Sequence, residues 1–339
     1  MNKITRYILK NFIESFNPIF FSLFFMVSII YFIKIAKITS IIKITFLELG
    51  ELYLYILPRI IIYTFPVVFF IAIAMSFVKM SRDNEITVMF SFGYSPLKVV
   101  KIFTTISMFI TAFLLMNAIF LVPISKQLYS NFIDVKKAEA KLNIQAMEFG
   151  QKFSNWLVFI NKSNKQNSFE DVIMYSKDKK RENFILAKKA NISNKNSTLE
   201  LKLKNGKVFS IYKNNIKQTN YKSLSITRYQ NMEISSSKGV FLYWKKIFTD
   251  KGRAKDFAFF ILISLFPIST FLLSISFGIF NSRYEKSNIY IYIFLTILIY
   301  YILIYFLISV NPLFALITVP TLTIFTSITI FKKKILKKY

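Results

Sequence analysis

The chain has 339 residues, 54% of them hydrophobic, including 39 Phe, and a mean hydropathy of +0.45. That is too apolar for an ordinary soluble domain and points to an integral membrane protein. With no Cys and no His, disulfides, thiolate chemistry, His–metal sites and His general bases are excluded together.

Three basic residues, Lys3, Arg6 and Lys10, precede the first apolar run. That run is too long for a signal-peptide core and has no small-residue cleavage site, so a retained helix is expected. Uncharged segments at 15–33, 60–78, 102–125 and 257–282 each match a bilayer crossing, and Pro123 is expected to bend the far end of the third. The 45 uncharged residues of 287–331 exceed one crossing, and Asn311-Pro312 divides them as a turn followed by a helix start. Six crossings are expected. The N-terminus, the 79–101 loop, Arg283 with Lys286, and the five basic residues after Phe331 share one side. By the positive-inside rule both termini and that loop are cytoplasmic. The net charge of +28 lies outside the apolar runs, and no zinc finger or aromatic RNA-binding motif accompanies it. No nucleic-acid partner is expected. An Ile-, Asn- and Lys-rich composition accounts for part of the Lys excess.

Segment 126–256 then lies outside the cytoplasm. Leu128, Phe132, Val135 and Leu142 continue the third helix at helical spacing. From Phe149 the pattern alternates, at 155–160, 171–176, 183–192, 198–212 and 223–229, with Asn205-Gly206 read as a hairpin turn. Roughly six to eight short strands suggest a sandwich or jelly roll.

The loop 79–101 holds a short helix at about 84–92. Ser81 reads as its N-cap, Gly93 as its stop, and Ser95-Pro96 as the next N-cap and first helical position. Ile86, Met89 and Phe90 share one face. Two readings stay open: an amphipathic helix on the lipid surface, or docking in a groove of a cytoplasmic partner, with Arg82 and Glu85 as polar anchors. Lys34 and Lys37, with Lys43 and Arg59 nearby in sequence, form an outer basic cluster. They either snorkel to headgroups or make a cationic mouth for an anionic amphiphile. The tail KKKILKK reads as a topology anchor.

Seven glycines include no GxxxxGK[ST] loop, and no carboxylate pair or activated serine stands out, so an enzyme is not expected. The spans carry no ionisable residue of the kind that ion-coupled carriers place at membrane depth.

Three helices, one large β insertion and three more helices resemble the plan of the lipopolysaccharide export permeases, the LptF/LptG (YjgP/YjgQ) family. RYILKNFIESF at 6–16 resembles the family's start, and SRDNEITVMFSFGYSPLKV at 81–99 its acidic residue, coupling helix and Gly. FGQKF, WLVFI, FEDVIMYS, SLSITRYQNMEI and GRAKDFAFFILISLFPIS resemble LptF more closely than LptG.

The resemblance implies a six-helix inner-membrane protein with an inserted all-β, jelly-roll-like periplasmic domain. Helices one to three would fall in 1–125, the periplasmic part in 126–256 with its jelly roll at about 149–240, and the last three helices in 257–339. It further implies a non-catalytic permease subunit without a cofactor of its own. Its partners would be an LptG-like second permease, an LptB-like ATPase dimer, LptC-like and LptA-like bridge proteins, and lipopolysaccharide. Glu85 would meet the ATPase, with Arg82, Ile86, Met89 and Phe90 around it, and Lys34, Lys37, Lys43 and Arg59 would lie near lipid phosphates. The alternative is a membrane-anchored scaffold or mechanical relay that transports nothing.

Overall fold

The computed structural model describes residues 3–39, 44–142, 151–153, 156–164, 168–178, 181–195, 198–212, 215–228, 237–281 and 288–337. Lys43, Arg283 and Lys286 lie outside them. The chain forms two compact units. One comprises residues 1–34, 53–126 and 234–339; the other comprises 35–52 and 127–233.

Helices α1 (Lys3–Thr39), α2 (Phe46–Arg82), α4 (Pro96–Met116) continuing into α5 (Val122–Leu142), α7 (Lys251–Gly278), α8 (Ile289–Val310) and α9 (Pro312–Phe331) include six stretches long and apolar enough to span a membrane. Short helices α3 (Glu85–Ser91) and α6 (Ser237–Lys245) complete the set among the described residues. In the helical unit α7 and α2 occupy the middle, with 72% and 67% of their apolar windows buried against 11% for α1. Phe70 and Phe266 meet edge-on within one apolar cluster that also takes Tyr300 and Ile304 of α8 and Val319 of α9. A second cluster joins Ile8, Phe12, Phe77, Ile86, Phe103 and Ile275. The apolar residues of α1 at Phe21, Phe25, Ile29 and Ile33 remain exposed.

Local chemistry explains where these helices begin and end. The Asn311 side chain accepts from Leu313 N at 3.0 Å and Phe314 N at 3.3 Å, which caps α9 ahead of Pro312 and confirms the expected division into two spans. Ser95 caps α4 in the same way through Leu97 N. Thr45 and Glu48 exchange backbone-to-side-chain bonds at 2.9 and 3.5 Å, a capping box at the start of α2. A π-helical turn, Asn117–Leu121, separates α4 from α5 directly before Pro123. Proline has no N–H and clashes with the carbonyl four residues back, here that of Ile119. Trp244 of α6 supplies the missing donor, its Nε1–H reaching Ile119 O at 2.8 Å.

Ser81 departs from expectation. It is an interior residue of α2, and its buried hydroxyl donates to the Gly278 carbonyl at 2.9 Å instead of capping α3. The α3 N-cap is Asn84, in the left-handed region at φ 58° with no side-chain cap bond. At the other end Gly93 has φ +81°, with Gly93 N bonded to Phe90 O and Tyr94 N to Met89 O, the Schellman arrangement that favours glycine.

The second unit carries one antiparallel sheet in meander order: β1 (Gln151–Phe153), β2 (Trp156–Asn164), β3 (Ser168–Asp178), β4 (Arg181–Lys195), β5 (Thr198–Tyr212) and β6 (Asn215–Arg228). The jelly-roll-like insertion is thus built from strands that each pair with their sequence neighbours. Asn205-Gly206 is not a hairpin turn, because β5 runs straight through it. The same positive φ that suits Asn to a turn here serves a slip within the strand: Asn205 has φ 52°, and so does Asp171.

That slip crosses the sheet. Val172, Ala187, Gly206 and Tyr221 form one row, and Glu170, Lys189, Lys204 and Ser223 the next paired row, while Asp171, Lys188, Asn205 and Lys222 are skipped. Buried positions on β3 and β4 are therefore three apart, Phe169 to Val172 and Ala187 to Ala190, where strict alternation would make them two.

Gly206 sits at a close approach between neighbouring strands. A Cβ there would strike the Leu186 carbonyl and the Tyr221 phenol. That phenol donates to Leu186 O at 3.0 Å.

Candidate functional site

The Ile86 side of α3 packs against this chain. Ile86 is 1% exposed and packs with Ile8, Phe12 and Phe103, while Met89 and Phe90 are half-buried against the same cluster. Burying such a side chain contributes about 1.5–3 kcal/mol, enough to hold a seven-residue helix that is marginal alone. The outward residues include Arg82, Asp83, Val88 at 50% and Phe92 at 87% exposure. Sequence periodicity identified the buried face but could not tell an intrachain neighbour from a partner.

Glu85, the first residue of α3, is half-buried and accepts a 2.6 Å hydrogen bond from the Tyr7 phenol on α1. One further contact ties the same end of α1 to α2: Lys79 Nζ lies 3.1 Å from Glu14, which Lys10 of the same helix also approaches at 3.9 Å. An open cavity of about 560 Å³ lies beside Glu85, lined by Ile4, Tyr7, Val88 and Met89 among others. Neither Tyr7 nor Glu14 was singled out from the sequence, since their partners are more than sixty positions away.

The basic cluster is only partly assembled. Lys34 is exposed, with Nζ 4.7 Å from the centre of the Tyr31 ring. Arg59 is half-buried on α2 and acts electrostatically on Tyr31 and on Tyr63. Lys34, Tyr31 and Arg59 therefore belong to one neighbourhood of the helical unit. Lys37 is exposed on α1 but belongs to the second unit. Tyr7 and Lys34 stand on one continuous helix, about 40 Å apart at 1.5 Å per residue.

Six apolar spans with uncharged cores, an inserted antiparallel sheet and a short helix carried between two spans define a multi-pass membrane protein of the permease type. Among the described residues no group of acidic side chains could hold a metal ion. The description "lipopolysaccharide export system permease LptF/LptG" belongs to the family model that matches residues 6–333. The chain belongs to that family, whose members are lipopolysaccharide export permeases, and is a multi-pass protein of the inner membrane. No curated protein matches it.

Proposed function

We propose that this chain is the LptF-like half of a two-subunit permease driven by a separate ATPase, and that it binds no nucleotide or other cofactor itself. Both termini and α3 face the cytoplasm, and the sheet faces the periplasm. An LptB-like ATPase dimer grips the α2–α3 corner through Arg82, Glu85, Val88 and Phe92. Ile86, Met89 and Phe90 anchor the helix to its own bundle, so that a push on α3 moves α1, α2 and α4 together. An LptG-like subunit covers apolar surface that α1 leaves exposed. Lipopolysaccharide enters between the two permeases, its phosphates drawn by Lys34, Lys37 and Arg59. It then passes to the sheet and on to LptC-like and LptA-like bridge proteins.

The observation that carries this reading is the short helix itself, held from behind in an apolar cluster shared with several spans and exposed in front with the Glu85 carboxylate bonded to Tyr7. Ion-coupled transport is disfavoured by spans without ionisable groups. Reconstitution with the partner subunits and ATPase tests it. Glu85→Arg is expected to abolish ATP-driven lipid release, and a Lys34→Ala/Lys37→Ala double variant to weaken it. Unchanged ATPase activity and release in both would sink these assignments. A scaffold that transports nothing would also purify without bound lipopolysaccharide.

A further inference from the structure

The Tyr7–Glu85 bond joins residues 78 positions apart and links α1 to α3 directly. A phenol donating to a carboxylate makes a charge-assisted bond, roughly twice as strong as a neutral one. It engages Oε1, and Oε2 has no hydrogen-bond or ion-pair partner among the described residues. The donor is itself well placed. Ile8 and Phe12, on the adjoining turns of α1, are buried in the cluster that holds Ile86. The buried Asn11 side chain bonds the Tyr7 carbonyl at 3.3 Å. The backbones carrying phenol and carboxylate are thus fixed relative to each other, and the open cavity beside them is lined by both Tyr7 and Glu85, with Lys3 and Asp83 also on its wall.

We infer that Tyr7 is a positioning residue for the ATPase contact: it holds Glu85 in one rotamer and leaves the second oxygen to receive a cationic side chain of the motor. This rests on the proposal that Glu85 meets the ATPase. A glutamate free in solvent loses rotamer freedom when it closes on a cation. Here Tyr7 has already removed that freedom, and the carboxylate is presented preorganised.

The test uses the whole complex of both permeases and the ATPase, in liposomes containing lipopolysaccharide, with Tyr7→Phe, Glu85→Ala and the double variant. The readouts are lipid released per ATP hydrolysed and yield of assembled complex. Tyr7→Phe keeps the ring and removes only the donor. It is expected to lower release per ATP roughly ten- to a hundredfold, in line with the loss of one hydrogen bond to a charged group. It should leave the yield unchanged and add nothing in the Glu85→Ala background.

Wild-type efficiency for Tyr7→Phe beside a defective Glu85→Ala overturns the positioning role and leaves the coupling reading standing. A silent Glu85→Ala overturns both. Additive losses in the double variant, or failure of Tyr7→Phe to assemble, give the phenol an independent or merely structural role and overturn the inference too.

Discussion

Trp244 donates its indole N–H to the carbonyl of Ile119, the carbonyl that Pro123 leaves without a helical donor. A helix break inside an apolar bundle is tolerated only if the freed backbone group finds another partner. Trp244 is also packed against Tyr243 and Phe257, so its orientation is fixed by ring contacts at 4.8 and 5.0 Å.

Removing the donor while keeping an aromatic ring isolates that bond. Trp244→Phe is expected to destabilise the protein by about 1–3 kcal/mol, the cost of leaving a buried acceptor unpaired. Pro123→Ala restores an N–H four residues after Ile119, so the same substitution should cost less in that background. Thermal or denaturant unfolding in detergent measures both. An equal cost with and without Pro123 would show that the ring packing of Trp244 matters and the bond does not.

The two glycines with opposite surroundings form a matched pair. Gly206→Ala drives a Cβ into the Leu186 backbone and the Tyr221 hydroxyl, so a loss of about 1–3 kcal/mol is expected from overpacking. Gly50, within α2, has nothing within 4 Å of its Cβ position. Gly50→Ala should therefore stabilise by about 0.5–1 kcal/mol through backbone entropy. Denaturant midpoints compare them, and a neutral Gly206→Ala would contradict the close approach.

Burial pushes the Tyr221 phenol from its usual 10.0 up to about 12. The folded state holds this proton more tightly than the unfolded state. Its contribution is therefore complete below pH 10 and is lost as pH rises from 10 towards 12. Tyr221→Phe has no such proton. The variant should lose less stability across that window than the parent, relative to each protein's own value at pH 8. Parallel decline of the two unfolding curves would mean that Tyr221 titrates normally.

What the sequence made legible was local. Asn311-Pro312, Ser95-Pro96 and Gly93 act within a few residues of themselves, and each does in the structure what its type and spacing suggest. Ser81 was misread because its partner, the Gly278 carbonyl, is 197 residues away. At that crossing a Cβ on Gly278 would stand 2.5 Å from Phe77 Cβ, so the two helices come close enough for a serine to bridge them. Asn205-Gly206 was misread for a related reason. A residue type that tolerates positive φ states what the backbone can do, while the neighbouring strands decide whether it becomes a turn or a slip. At the candidate site, helical spacing found the buried face of α3 and the carboxylate beside it. Tyr7, which fixes that carboxylate, is on another helix and carries no signal of its own.

The skipped row Asp171, Lys188, Asn205 and Lys222 has a consequence for how this sheet can change over time. Deleting one residue from β4 alone would restore its alternation while throwing it out of phase with β3 and β5. Adding one elsewhere would do the same in reverse. Length changes near this row are therefore acceptable only when adjacent strands change in concert. Single-residue insertions and deletions should accumulate at the strand ends and be purged from the middle, so the line of slip is inherited by the sheet as a whole.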